Sequence, residues 1–171
     1  MSDEKKLEGD EEIEKRREGS RAEFHKLLVK EVMKWEFPMI ERSASIEAVA
    51  KILRSRQHVW IVDEPGSKRV VGTITERDFL EVMSPLPGRS WVVGSIKPKS
   101  WHHAEFETAE ELMVKHLVTC SQDATIEEAL SLMSRHRVSR LPIIENDELI
   151  GEVNLSALIN TYIAKVEESS E

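Results

Sequence analysis

Where an apolar strand gives way to a helix, the heptad Gly72-Thr73-Ile74-Thr75-Glu76-Arg77-Asp78 sets a hydroxyl and a carboxylate three residues apart. A threonine at a helix start turns its hydroxyl and the unpaired backbone N–H groups of the first turn toward an anion. A carboxylate in that turn can accept two hydrogen bonds from a ribose diol, as the acidic residue of dinucleotide folds does. The same two residues are also ordinary capping chemistry. The heptad alone leaves both readings open. A second candidate is Arg140, at the start of the strand that follows Val138-Ser139, because a guanidinium can hold a phosphate with two parallel hydrogen bonds. Arg135, His136 and Arg137, just before it, sit where they complement a helix dipole.

These residues belong to an internal repeat. Residues 29–83 and 109–163 are two versions of one pattern. Glu31-Val32-Met33 is answered by Glu111-Leu112-Met113, and Ser45-Ile46-Glu47-Ala48-Val49 by Thr125-Ile126-Glu127-Glu128-Ala129-Leu130. Trp60-Ile61-Val62-Asp63 is answered by Leu141-Pro142-Ile143-Ile144-Glu145, and Val70-Val71-Gly72 by Leu149-Ile150-Gly151. After the shared glycine the copies part. The second reads Gly151-Glu152-Val153-Asn154-Leu155-Ser156-Ala157, so Ala157 stands where the first has Asp78.

Each copy reads as helix, short strand, helix, strand, strand, helix. In the first, a short strand near Phe37–Ile40 precedes a helix over Ile46–Ser55 that puts Ile46, Val49, Ala50 and Leu53 on one face. Strands His58–Asp63 and Arg69–Thr75 flank a Glu64-Pro65-Gly66-Ser67 turn, and a helix from Glu76 to Met83 closes the copy. In the second, Thr125 and Glu128 form a capping-box pattern before helix Ile126–His136. Strands Leu141–Glu145 and Leu149–Val153 make a hairpin around Asn146-Asp147, and Leu155–Val166 is the last helix. The predicted boundaries are a charged tail over 1–20 (mobile, or a solvated extension of the next helix), an N-terminal helix from near Arg21 with the first repeat to 83, a connection over 84–108, the second repeat over 109–166 and a charged end over 167–171. In that first helix Phe24, Leu27, Leu28, Glu31 and Val32 suggest one apolar stripe. The connection carries Trp91 and Trp101 and is too apolar for a free linker; it is expected on the surface or at a partner contact.

Composition narrows the classes. A hydrophobic share of 40% is that of a globular chain. A net charge of −8 argues against a general nucleic-acid binder. No apolar run reaches the roughly 18 residues of a spanning helix. The charged start from Asp3 is unlike a secretory signal, and a lone cysteine, Cys120, fits a reducing, cytoplasmic compartment.

In the order of its elements the repeat resembles the tandem cystathionine beta-synthase (CBS) domain, or Bateman module, over about 29–166. The resemblance is carried by the Glu-hydrophobic-Met lead-ins, by Val138-Ser139-Arg140-Leu141-Pro142-Ile143-Ile144, and by Gly72 to Asp78, which is similar to the family's Gly-hydrophobic-x-Thr/Ser-x-x-Asp nucleotide signature. It implies an α/β (α+β) fold of two pseudo-twofold-related β-α-β-β-α repeats packed sheet to sheet, with an N-terminal helix. It further implies two clefts. One would draw Gly72, Thr73, Thr75, Arg77 and Asp78 from the first copy and Val118, Ser139, Arg140 and Pro142 from the second. Some members place a His-Arg pair before Leu-Pro against phosphate; here the arginine is kept and Ser139 replaces the histidine. The other cleft would join Pro38, Gln57, His58 and Trp60 to Asn154 and Ala157, and without a carboxylate its ribose binding is expected to be weak or absent.

The implied function is regulatory and non-enzymatic: binding of an adenine nucleotide (AMP, ADP or ATP) or S-adenosylmethionine, as in energy sensing, signalled by a change in repeat arrangement. The family implies a homodimer, with a regulated protein as a further partner; the rival reading is a ligand-free interaction scaffold. No cofactor, metal or membrane contact is expected. His102 and His103 are adjacent, which is not metal-ligand spacing, and Cys120 has no base beside it in sequence. No nucleophile turn is present. Trp35, Trp60, Trp91 and Trp101 read as packing residues, with Trp60 the one placed near a cleft.

Overall fold

The computed structural model describes residues 2–83 and 106–168, with side chains from residue 14 onward. In chain order the elements are α1 (Ser2–Lys26), a 3-10 turn (Val29–Glu31), β1 (Met39–Glu41), α2 (Ile46–Leu53), β2 (His58–Val62), β3 (Val70–Thr75), α3 (Leu80–Met83), α4 (Ala109–Leu112), α5 (Ile126–His136), β4 (Arg140–Glu145), β5 (Glu148–Asn154) and α6 (Leu155–Glu168). The mixed α+β class, the two small sheets and the N-terminal helix follow the sequence reading.

The chain folds into two compact units: Glu36–Leu117, and Met1–Trp35 together with Val118–Glu171. In the contiguous unit, β1 pairs in parallel with β2, and β2 antiparallel with β3. All five β2 residues are buried. Gly66, at φ 77°, takes the left-handed position of the β2–β3 turn. Ser45 caps α2, its Oγ accepting from the Ala48 N–H at 3.3 Å. The helix lays Ile46, Val49 and Leu53 against Val59, Ile61 and Ile74.

In the discontinuous unit, β4 and β5 form an antiparallel hairpin whose two-residue loop, Asn146-Asp147, has φ of 50° and 65°. Positive φ at both loop residues matches the twist of a tight hairpin. The capping box is present: the Glu128 N–H donates to Thr125 Oγ1 at 3.2 Å and the Thr125 N–H to Glu128 Oε2 at 2.7 Å. The short strand expected in this copy shrinks to one parallel bridge, Cys120 to Ile143. Here α1 packs its last turns on α6, with Phe24 and Tyr162 edge to face at 5.3 Å.

Three expectations change. The first helix starts at Ser2, not near Arg21, so the charged run takes the second of its two readings, an extension of that helix; Glu14, Lys15, Arg16 and Arg17 are straight-chain residues of good helix propensity. It stops at Lys26, before Leu27, Leu28, Glu31 and Val32, because the next backbone donors turn to the 122–125 loop. The Val29 N–H donates to Ala124 O and that of Lys30 to Gln122 O, at 2.8 and 2.9 Å. The helix expected from Glu76 begins only at Leu80, after turns that close three residues apart, Asp78 to Thr75 and Leu80 to Arg77. Of the connection, 84–105 lie outside the described residues, with Trp91, Trp101, His102 and His103; Phe106 packs on the contiguous unit's core.

The compact units are not the sequence repeats. The lead-in of the first repeat packs in the unit that holds the second, where Val29 and Met33 join Ile126, Leu141, Ile143 and Val153. Lys34 and Glu152 exchange backbone hydrogen bonds of 2.8 and 2.9 Å. The lead-in of the second repeat does the converse. Ala109, Leu112 and Met113 join Ile46, Val49 and Ile74, and Thr73 exchanges bonds with Val114 at 3.1 and 2.9 Å. The two shared glycines serve these contacts. A Cβ on Gly72 would lie 2.6 Å from Met113 Sδ, and one on Gly151 would lie 3.0 Å from both Met33 Sδ and the Lys34 carbonyl oxygen. The thioether can shift, but the carbonyl is held in the bridge. Gly151→Ala is therefore expected to destabilise by about 1–3 kcal/mol, as overpacking does. Urea denaturation measures it; a midpoint equal to wild type would mean the bridge yields at no cost.

Among the described residues, no helix is long and apolar enough to cross a membrane.

Candidate functional site

The end of β3 builds the turn that the sequence singles out. The Thr75 N–H and Oγ1–H both donate to Asp78 Oδ2, each at 2.7 Å. The Asp78 N–H donates back to Thr75 Oγ1 at 3.3 Å. Hydroxyl and carboxylate thus cap each other reciprocally, and the carboxylate is fixed in place. Oδ1 takes no hydrogen bond among the described residues. Both residues are half-buried and Arg77 is exposed. An oriented carboxylate with one oxygen available can accept from a diol, as the sequence reading requires; the same bonds are those of a helix cap.

The other residues named on this unit cluster around that turn. His58 is the register partner of Thr75, and the Glu76 N–H donates to the carbonyl of Gln57 at 3.1 Å. Thr73 Oγ1 donates to Val59 O at 3.2 Å, which commits that hydroxyl to the sheet. Gly72 is buried beneath Met113. Trp60, 2% exposed, lies edge to face with buried His58 at 5.2 Å, and its backbone N–H donates to Pro38 O. Trp60 is thus a core residue here.

On the discontinuous unit, Arg140 opens β4 opposite Asn154, and Pro142 faces Glu152. Arg140 Nη1 lies 3.6 Å from Glu152 Oε1, the two side chains being 16% and 5% exposed. Burial pushes the Arg140 pKa down, and the Glu152 carboxylate acts in the opposite direction. Ser139 is exposed and its carbonyl accepts from the Leu155 N–H at 2.8 Å. Val118 packs on the unit's core. Asn154 Oδ1 accepts from the Ala157 N–H at 2.9 Å, a one-way cap where the first copy has the reciprocal pair. Glu152 is the residue sequence reasoning missed. The signal was there: an acidic residue inside the otherwise apolar run Leu149–Val153, where the first copy has Thr73.

Among the described residues no three His, Cys, Asp or Glu side chains gather as a metal site. Cys120 is buried, and burial pushes its thiol pKa up, away from the thiolate a nucleophile needs.

A family model described as CBS domain matches residues 29–85 and 109–163. Among curated proteins, a homoserine O-acetyltransferase of Methanosphaera stadtmanae is 24% identical over 140 residues, which is 80% of this chain and 24% of that enzyme. The chain therefore spans about a quarter of that relative's length. Among solved structures, the CBS domain of a bacterial CNNM/CorC family Mg2+ transporter in complex with ATP superposes with a TM-score of 0.67 at 18% identity, covering 88% of this chain and 96% of that one. A CBS domain pair in complex with 5′-methylthioadenosine and S-adenosyl-L-methionine gives 0.61 at 23%, covering 80% and 99%.

Proposed function

This chain belongs to the CBS domain family, and from that premise we propose that it is a non-enzymatic regulatory module that binds an adenine nucleotide or adenosyl ligand. The observation that carries the reading is the Thr75–Asp78 turn, which holds a half-buried carboxylate with one oxygen uncommitted among the described residues. The proposed ligand set is Gly72, Thr73, Thr75, Arg77 and Asp78, with Val118, Ser139, Arg140 and Pro142. Solved relatives of this fold hold ATP, or methylthioadenosine and S-adenosylmethionine, which supports the ligand class without choosing within it. The ligand stabilises whichever conformation it prefers, in proportion to that preference, and a partner protein reads the result. The enzyme named among the relatives is matched over a quarter of its length, and acetyl transfer is not carried over. We further propose a homodimer. α6 exposes Leu155, Ile159 and Ile163 at four-residue spacing, one apolar stripe on one helix face.

The test is calorimetry with AMP, ATP and S-adenosylmethionine. One strong site per chain is expected, since Ala157 stands where the other copy has Asp78. Asp78→Ala should weaken binding about 10–150-fold, the loss of charge-assisted hydrogen bonds worth roughly 1.5–3 kcal/mol. Asp78→Asn keeps an acceptor for the cap and loses the charge, so it should fold like wild type and still bind weakly. The reciprocal cap itself favours a second reading, an interaction scaffold without ligand. Unchanged affinity in both variants, or equal affinity for the 2′-deoxy ligand, would return Asp78 to a capping role alone; binding of none of the three ligands would establish the scaffold.

A further inference from the structure

Residues 1–35 pack with residues 118–168, from which a whole folded unit of the chain separates them in sequence. The bonds that seat the segment are long-range. The Val29 N–H donates to Ala124 O and the Ile126 N–H to Leu27 O, each at 2.8 Å, and Lys34 and Glu152 exchange two backbone bonds. Phe24, Val29 and Met33 are its buried apolar anchors, and Lys30 and Asp123 add an exposed ion pair of 2.8 Å. Buried apolar anchors with an exposed polar fringe are the anatomy of an interface between proteins. After Lys34 the segment leaves through Trp35, which is exposed, and Glu36-Phe37-Pro38, none of them in a helix or strand. Pro38 disfavours helical backbone at Phe37, so the connection can swing outward in extended form without breaking a regular element.

We propose that residues 1–35 are exchangeable between chains: the surface of 118–168 that seats them accepts the same segment from a second copy, and two chains pair by trading α1 and the first lead-in. Every contact just described recurs in the exchanged pair, because the incoming segment has the same sequence. What favours the closed monomer is its tether alone, which holds the segment at an effective concentration of roughly millimolar order. The exchanged pair therefore grows with protein concentration and needs no new contact. The second lead-in lacks this freedom. Ala109 to Met113 lie in the contiguous unit with the residues they pack on, so trading them would mean unfolding that unit. The exchange requires neither a ligand nor the exposed face of α6.

Leu28 and Thr125 supply the test. They form an antiparallel bridge with bonds on either side, the non-hydrogen-bonded kind of pair, whose Cα atoms lie about 4.5 Å apart, within disulfide range. Full chains carry Cys120→Ala, which removes the one native thiol, and then either Leu28→Cys or Thr125→Cys. The two are unfolded in urea, mixed, refolded at about 1 mM, oxidised and run on a non-reducing gel. About a tenth or more of the chain is expected as cross-linked heterodimer, falling as the refolding mixture is diluted. A mixture of Leu28→Cys with Glu148→Cys, exposed beside the hairpin loop, sets the background. The double variant Leu28→Cys/Thr125→Cys, refolded dilute, is expected to close its disulfide within one chain. A heterodimer yield no higher than background, with the double variant closed, would show that the segment stays with its own chain and would overturn the inference; a dimer made through α6 alone gives that result. A double variant that stays open would show that the two positions do not meet, which overturns it as well. The wild-type chain gives a reading free of substitutions. Dimer formed by refolding at about 1 mM should outlast dilution and size-exclusion chromatography, because undoing the exchange means unseating Phe24, Val29 and Met33. No dimer, or one that dissociates at once on dilution, would again overturn it.

Discussion

A fragment comprising residues 29–83, the whole first repeat, is expected to show no cooperative unfolding, whereas residues 36–117 are expected to fold. The repeat is the wrong piece to cut. Its core takes Ala109, Leu112 and Met113 from beyond residue 83, and β3 takes its bridge from Val114. Burial of Leu112 and Met113 stabilises by roughly 1.5–3 kcal/mol each, against a net stability of about 5–15 kcal/mol for a whole domain and less for one so small. The backbone bonds from Ala109 to Ala44 and from Glu110 to Arg42 are lost with them. The fragment would meanwhile carry Val29 and Met33 with nothing to bury them, since their partners lie in 118–168. Circular dichroism through a urea series compares the two fragments. A sigmoidal transition for 29–83 as steep as that for 36–117 would show that the lead-in segments are accessories.

Trp60→Ala should cost about 3–5 kcal/mol, the usual loss for emptying a large buried aromatic site. Trp60 is the largest of the fully buried side chains. It lies in a strand buried along its whole length, with β1 and β3 on either side and the His58 ring against its edge. Neighbours pinned by two ladders cannot collapse into the gap. The cost should appear in the urea midpoint at unchanged slope, so that stability rather than compactness is what moved. A loss under about 1 kcal/mol would return Trp60 to the role the sequence left open for it, beside a ligand site.

What could be read from sequence was local. The bounds of α5, its Thr125–Glu128 box and the Asn146-Asp147 turn each depend on residues a few positions apart, and each stands where it was expected. The repeat was also legible, because two copies of one pattern give the same element order twice. Long-range pairing was not. Nothing near Met33 says that Gly151 is its partner, nor anything near Met113 that Gly72 is, so the exchange of lead-ins had no local signal. Whether α1 reached back through the charged run was left open because apolar periodicity, the cue for a helix, is absent from a run of charges that still favours helix by propensity. At the candidate site capping by Thr75 and Asp78 was one of two readings left open, while their direct bond was not foreseen and the ion pair on Arg140 required knowing which strand lies beside which.

One unit is contiguous in the chain and the other encloses it, and that nesting imposes an order in time. A ribosome makes α1 and Val29 to Met33 first, yet the residues that bury them come last. Everything the inner unit requires has been synthesised by Leu117. It can therefore close while the outer unit is still half made, with its first segment waiting in solvent. Once closed, the inner unit replaces a long flexible loop with a folded body, which removes most of the chain entropy that opposes bringing Trp35 and Val118 into one unit. Synthesis from one end thus makes the first helix the last element to find its place.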